Sequence, residues 1–138
     1  MTLRELQQLL REAIVADEWF APLDESILIE ARGDFEQTLE RAVNELGLSI
    51  VVATPSSQTM EEGHKAYLNV DVVIAIAELP LTNTTGKHAA EALDRVIPLL
   101  HRKRLAGPLQ LNFSGHETED IPGMAAYRAL FKGAIIYR

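Results

Sequence analysis

Apolar positions along the chain fall into two spacings, and each predicts a kind of element. Leu3, Leu6, Leu10, Ala13 and Ile14 recur at the helical period, and Thr2 with Glu5 has the form of a capping box. A first helix is predicted from about Leu3 to about Ala16. Asp17, Glu18, Trp19 and Phe20 follow, and Pro22 forbids continuation because it lacks a donor and restricts Ala21. Ile27 to Arg32 reads as a short strand. Phe35, Leu39, Ala42, Val43 and Leu46 then make one helical stripe, with Asp34 as its N-cap and Gly47 as its terminator.

Leu48 to Thr54 carries Ile50, Val51 and Val52 without helical polarity and is closed by Pro55, Ser56 and Ser57, so it reads as a strand. From His64 to Leu79 the chain alternates: Leu68, Val70, Val72, Ile74 and Ile76 on one face, Asn69, Asp71, Val73, Ala75 and Ala77 on the other. The first face must be buried. Pro55 to Gly63 is too short to hold a crossover helix, which predicts an antiparallel hairpin closed by a polar loop. Asn83, Thr84, Thr85 and Gly86 mark a turn, and Ala89, Leu93, Val96, Ile97 and Leu100 predict a third helix, kinked near Asp94 by Pro98. Arg102, Lys103 and Arg104 fall at its end, where cations suit the macrodipole, and Gly107 and Pro108 break the chain. Leu109 to Phe113 reads as a short strand, Ser114 to Gly123 as an acidic loop, and Ala125 to Tyr137 as an alternating strand. This order predicts an α+β fold in one domain over residues 1–138: an antiparallel or mixed β-sheet of about four to five strands, covered by a layer of about three helices.

Composition narrows the class. The 138 residues are 47% hydrophobic and 24% charged, the balance of a chain that folds around a core. With 13 Lys and Arg against 20 Asp and Glu the net charge is −7, so there is no general basic footprint for nucleic acid and none is expected to be bound specifically. Zero cysteines excludes disulfides, thiolate metal sites and cysteine nucleophiles, and suits a reducing compartment such as the cytoplasm. Met1 to Glu12 lacks the continuous apolar core of a signal peptide, and the longest apolar run, Val72 to Ala77, is far too short to span a bilayer. No membrane association is expected.

Candidate chemistry is sparse. Thr84, Thr85, Gly86 and Lys87 precede a helix as a phosphate loop would, but Leu81 stands where the first glycine belongs and His88 where a Ser or Thr belongs. A turn and helix start is the better reading. His116, Glu117, Glu119 and Asp120 concentrate metal-ligand and acid/base types in one segment, and an enzyme or ligand-binding domain built on His116, Glu117 and Asp120 is the alternative function. Consecutive carboxylates in a loop are ordinarily solvated. Ser56, Ser57 and Thr59 lack the glycine-flanked serine of a nucleophile elbow. The expectation is therefore no catalytic residue, no metal and no cofactor. Trp19 and Phe20 either staple the first helix to the sheet or form a contact for another subunit.

Certain strings resemble a family. They are Gly33, Asp34 and Phe35; Val51 to Ser56; Asn69 to Val73; and Thr85, Gly86 and Lys87 leading through Ala89, Ala90, Glu91, Ala92 and Leu93 to Leu99, Leu100 and His101. Together with the order of elements they are similar to the phage tail terminator and tail-completion proteins, the minor tail protein U-like group. The resemblance covers most of the chain and includes no catalytic signature. It implies a phage or prophage assembly subunit, found in the host cytoplasm during assembly and then in the virion. It also implies a hexameric ring of identical copies that caps the tail tube and meets the head connector. The polar segments are then the natural contact surfaces, with Glu61, Glu62, Glu117, Glu119, Trp19 and Phe20 as candidate partner contacts.

Overall fold

A computed structural model of the chain describes residues 2–30, 35–62, 65–106 and 109–137, with only the backbone described at 59–62, 65–68, 106 and 135–137. Helix α1 spans Leu3–Val15, and its start is the expected capping box: Thr2 Oγ1 accepts from the Glu5 amide at 3.1 Å and Glu5 Oε2 accepts from the Thr2 amide at 3.3 Å. Leu6, Leu10 and Ile14 on its inward stripe are fully buried. A short 3-10 helix, Ala21–Ser26, holds Pro22 in its first turn, where the missing amide costs nothing. Strand β1, Ile27–Ile29, follows. Helix α2, Phe35–Arg41, ends in a π turn, Ala42–Leu46, and Gly47 terminates it in the left-handed conformation at φ +76°. The Gly33–Asp34 start read for this helix lies outside the described residues.

Strands β2 (Leu48–Val52), β3 (Ser56–Glu62) and β4 (Lys65–Glu78) come next, then helix α3 (Ala89–Leu100), which continues through Pro98. Strands β5 (Arg104–Ala106), β6 (Leu109–Gln110), β7 (Asn112–Glu119) and β8 (Ala125–Tyr137) complete the chain. The main sheet has six strands in the order β1-β2-β4-β8-β7, with β3 also on β4; β5 and β6 make a separate pair. Only β1 and β2 run parallel among these pairs. The fold is α+β.

Alternation in β4 sorts the two faces as its sequence requires. Val70, Val72, Ile74 and Ile76 are buried with Ile50, Val52, Ala129 and Phe131 beneath α1 and α3. On the other face α2 covers only the β1–β2 end, where Phe35 and Leu39 pack against Leu28, Ala42 and Val51. Two side chains of α1 tie it to this end: Gln7 Nε2 donates to the Glu30 and Val52 carbonyls at 3.0 and 3.3 Å, and Arg11 Nε donates to the Ile27 carbonyl at 2.9 Å.

Three expectations are corrected. The segment read as a polar loop over Pro55–Gly63 is a strand from Ser56 to Glu62: β3 pairs with β4 from Ser56↔Asp71 to Glu62↔Lys65, so β2 and β3 lie end to end along one edge of β4. Ser114–Gly123 is not a loop up to Glu119: it is the outer strand β7, irregular between Phe113 and Gly115 where its register on β8 shifts. Both segments lie at margins of the sheet, and a strand held by its backbone ladder needs no apolar alternation. Charge on such an edge also discourages pairing with foreign strands. Finally, Arg102–Arg104 do not form the last turn of a helix. Leu100 ends α3, Arg102 reverses the chain at φ +62° with its amide on the Leu111 carbonyl at 2.8 Å, and Arg104 begins β5.

Candidate functional site

The turn before α3 is a closed hydrogen-bond network centred on Asn83. Its Nδ2 donates to Glu78 Oε2 and to the Lys87 carbonyl, both at 2.7 Å, while its Oδ1 accepts from the Thr85 amide and hydroxyl at 2.9 and 2.6 Å. Glu78 has a side chain only 5% exposed, and its Oε1 accepts from the Ala89 amide at 2.9 Å. Its Oε2 lies 2.9 Å from His88 Nδ1. A carboxylate of the chain itself therefore occupies the helix N-terminus where a phosphate would sit. Lys87 is equally committed: its Nζ donates to the Trp19 carbonyl and stands 4.7 Å from the centroid of the indole ring. The Thr84–Lys87 string is a structural turn.

These bonds set the protonation of the pair. Burial pushes the Glu78 carboxyl up, but the donors Ala89, His88 and Asn83 outweigh it and hold the group below its ordinary 4.5. The hydrogen bond and charge of Glu78 raise His88 above its ordinary 6.5. A lowered acid adds stability above its unfolded value, lost as pH falls through the folded one; a raised histidine adds stability below 6.5, lost as pH rises through its folded value. The pair's contribution is fullest between 4.5 and 6.5. His88→Ala is expected to flatten the alkaline limb of a melting-temperature profile and keep the acid limb, whereas Glu78→Gln flattens both. Unchanged limbs in both variants would show that the pair does not couple to folding.

Phe20 is fully buried, and Trp19 meets it edge-on, with centroids 4.8 Å apart and planes at 80°. Stapling α1 to the core is the role these contacts support. In β7 the alternation sends His116, in register with Ala129, and Glu117, in register with Arg128, to opposite faces. Glu119 is held by Arg128 at 2.7 Å, and Asp120 follows the end of the strand. The segment that mixed His116, Glu117 and Asp120 in sequence thus does not converge. Among the described residues no three His, Asp or Glu side chains are placed to hold a metal ion. An open trough of about 200 Å³ runs between α2 and this edge, with Phe35, Leu39, Val51 and Ala77 on its walls and the Glu119–Arg128 pair at its rim. Glu61 and Glu62 are in β3, opposite Ala66 and Lys65; their side chains lie outside the described residues. His88 and His101 flank α3 at its two ends, His101 Nδ1 accepting from the Phe113 amide at 2.9 Å.

The sequence reading missed Glu78 and Asn83, the polar centre of the molecule. A signal was present: Glu78 continues the even-numbered inward face of β4 after Ile74 and Ile76, and a carboxylate on a buried face requires donors.

No protein-family model and no curated protein matches the sequence. The fold does have a solved counterpart, a chain of the virion of a native gene transfer agent particle. The two superpose with a TM-score of 0.71 at 16% identity, over 96% of this chain and 95% of that one. At that identity the likeness is one of fold, and it takes in nearly the whole of both chains. No helix among the described residues is long and apolar enough to cross a membrane.

Proposed function

We propose that this chain is a structural, non-enzymatic subunit of a phage-like virion, acting in tail termination or head-to-tail joining as a ring of identical copies. The observation that carries the reading is the end-to-end likeness to a chain of a gene transfer agent virion. Two features of the molecule support it. The one string resembling a nucleotide loop is filled by Glu78, and the polar strands β3 and β7 lie at sheet margins, where a subunit meets its neighbours. Glu61, Glu62 and Glu117 are the proposed contacts with tail tube or connector. Glu119 reaches such a partner only in company with Arg128, Trp19 only by its half-exposed side, and Phe20 supports the surface from within.

Deleting the gene in a phage or prophage that carries it tests the reading. Electron microscopy is expected to show tails of irregular length or tails separate from filled heads, with infectious particles lost. Particles of normal form and number would sink the proposal. Charge reversal at Glu61, Glu62 and Glu117 is expected to reproduce the assembly defect, and reversal of the exposed Glu117 alone is expected to leave the melting temperature near that of the parent, because an exposed charge shifts stability by about 0.5 kcal/mol or less.

A further inference from the structure

Charge is distributed unevenly over this molecule. Nine of its twenty acidic residues fall between Asp17 and Glu45, against Arg32 and Arg41 as the only cations of that stretch. Some are spoken for: Asp24 pairs with Arg11 at 2.7 Å, Glu45 with Arg41 at 3.0 Å, and Glu30 accepts the Thr54 amide at 3.0 Å. Glu18, Glu25, Glu36 and Glu40 are exposed and make no ion pair among the described residues. The counterpart is Arg102, Lys103 and Arg104. All three are exposed, and none has an ion pair among the described residues, in a chain whose net charge is −7. The turn that carries them is fixed at Arg102 by φ +62° and by its amide bond to Leu111, so the three cations are presented together on a defined backbone.

The two patches face different ways. Arg102–Arg104 follow α3 on the side of the sheet that α1 and α3 cover, while Glu36 and Glu40 lie on α2, which packs on the opposite face. A contact between them across two molecules therefore uses different surfaces on each partner. Repetition of such a head-to-tail contact closes into a ring or continues as a filament.

We infer that Arg102, Lys103 and Arg104 of one copy dock against Glu36 and Glu40, one turn apart on the exposed side of α2, of a second copy of this chain. The contact rests on the ring reading and adds to it the two surfaces through which neighbours meet. Complementary charge orients the encounter and opposes the reversed packing, in which like patches would face each other.

Two variants test it: one carrying Arg102→Glu, Lys103→Glu and Arg104→Glu, the other Glu36→Lys and Glu40→Lys. Sedimentation velocity, with melting curves to confirm folding, is expected to show wild-type association that weakens as salt rises. Each variant alone is expected to associate roughly 100-fold more weakly, since facing like charges costs several kcal/mol. An equimolar mixture is expected to regain association, because in alternating order every contact again joins opposite signs. Wild-type association that ignores salt overturns the inference without any variant. So do variants that associate as the parent does, or a mixture that stays apart, and in those cases the ring reading stands. Loss of duplex-DNA retention in the first variant with assembly unchanged overturns it in favour of a phosphate contact. A wild-type chain that remains monomeric at every concentration also overturns it, and the ring reading then depends on the tail-assembly experiment alone.

Discussion

Val72→Asp is expected to leave the chain unfolded at room temperature. Val72 is fully buried on the inward face of β4, in register with Phe131 and between Val70 and Ile74, with apolar side chains on every side of that cluster. Removing the valine forfeits roughly 1.5 to 3 kcal/mol of apolar burial. The carboxylate that replaces it has no cation in that core and adds several kcal/mol more, either as an uncompensated charge or through the upward shift needed to neutralise it. Set against a total stability of about 5 to 15 kcal/mol, the sum is large enough to unfold an average domain. Val73→Asp, one residue on, is the control. That side chain is half-buried on the opposite face, in register with Leu130, and an aspartate there reaches water. It is expected to cost about 1 kcal/mol. Near-ultraviolet circular dichroism and a denaturant midpoint separate the two, and a cooperative native-like transition for Val72→Asp would show that β4 does not form the core.

Replacing Gly47 with alanine is expected to be the most damaging of the mild substitutions. Two effects coincide at this position. Its φ of +76° lies in the left-handed region, where any side chain costs roughly 1 to 2 kcal/mol. A Cβ built there also meets the backbone of the β4–α3 loop, at 2.4 Å from both Asn83 Cα and Asn83 N. The backbone cannot rotate out of the way as a side chain would, so the loop must move. That movement pulls on the Leu79 amide bonded to Gly47 O at 2.9 Å and the Thr84 amide bonded to Leu46 O at 3.1 Å, and through Asn83 on the Glu78 network. Gly86→Ala separates the two effects, because Gly86 has nearly the same φ, +74°, and open space where its Cβ would stand. Gly86→Ala is expected to lose only the conformational part. Gly47→Ala is expected to lose that and about 1 to 3 kcal/mol more for overpacking. In thermal melts this is a further fall of several degrees, on the order of 4 °C per kcal/mol for a chain of this size. Equal melting temperatures for the two variants would mean that the loop yields freely.

The elements that were legible in sequence are those whose evidence is local. Thr2 and Glu5 announce α1 because a capping box is closed within four residues, and Leu6, Leu10 and Ile14 repeat at the period that puts them on one side of a helix. The inward face of β4 is legible for the same reason: burial alternates with the pleat, and Val70, Val72, Ile74 and Ile76 record it. Gly47 likewise marks the end of a helix on its own terms. Tertiary structure alone decided the rest, because the partners lie far along the chain. Ser56–Glu62 and Asn112–Glu119 become strands through backbone bonds to β4 and β8, and a backbone ladder by itself leaves no mark on side chains. The same separation hides the site. His116 and Glu117 are neighbours in sequence but are parted by the pleat of β7, whereas Glu78, Asn83, His88 and the start of α3 are brought together by a turn. The sequence determined where apolar surface had to be buried, and the fold determined which polar groups would answer one another, since a hydrogen bond depends on position in space and hydrophobic burial only on a face.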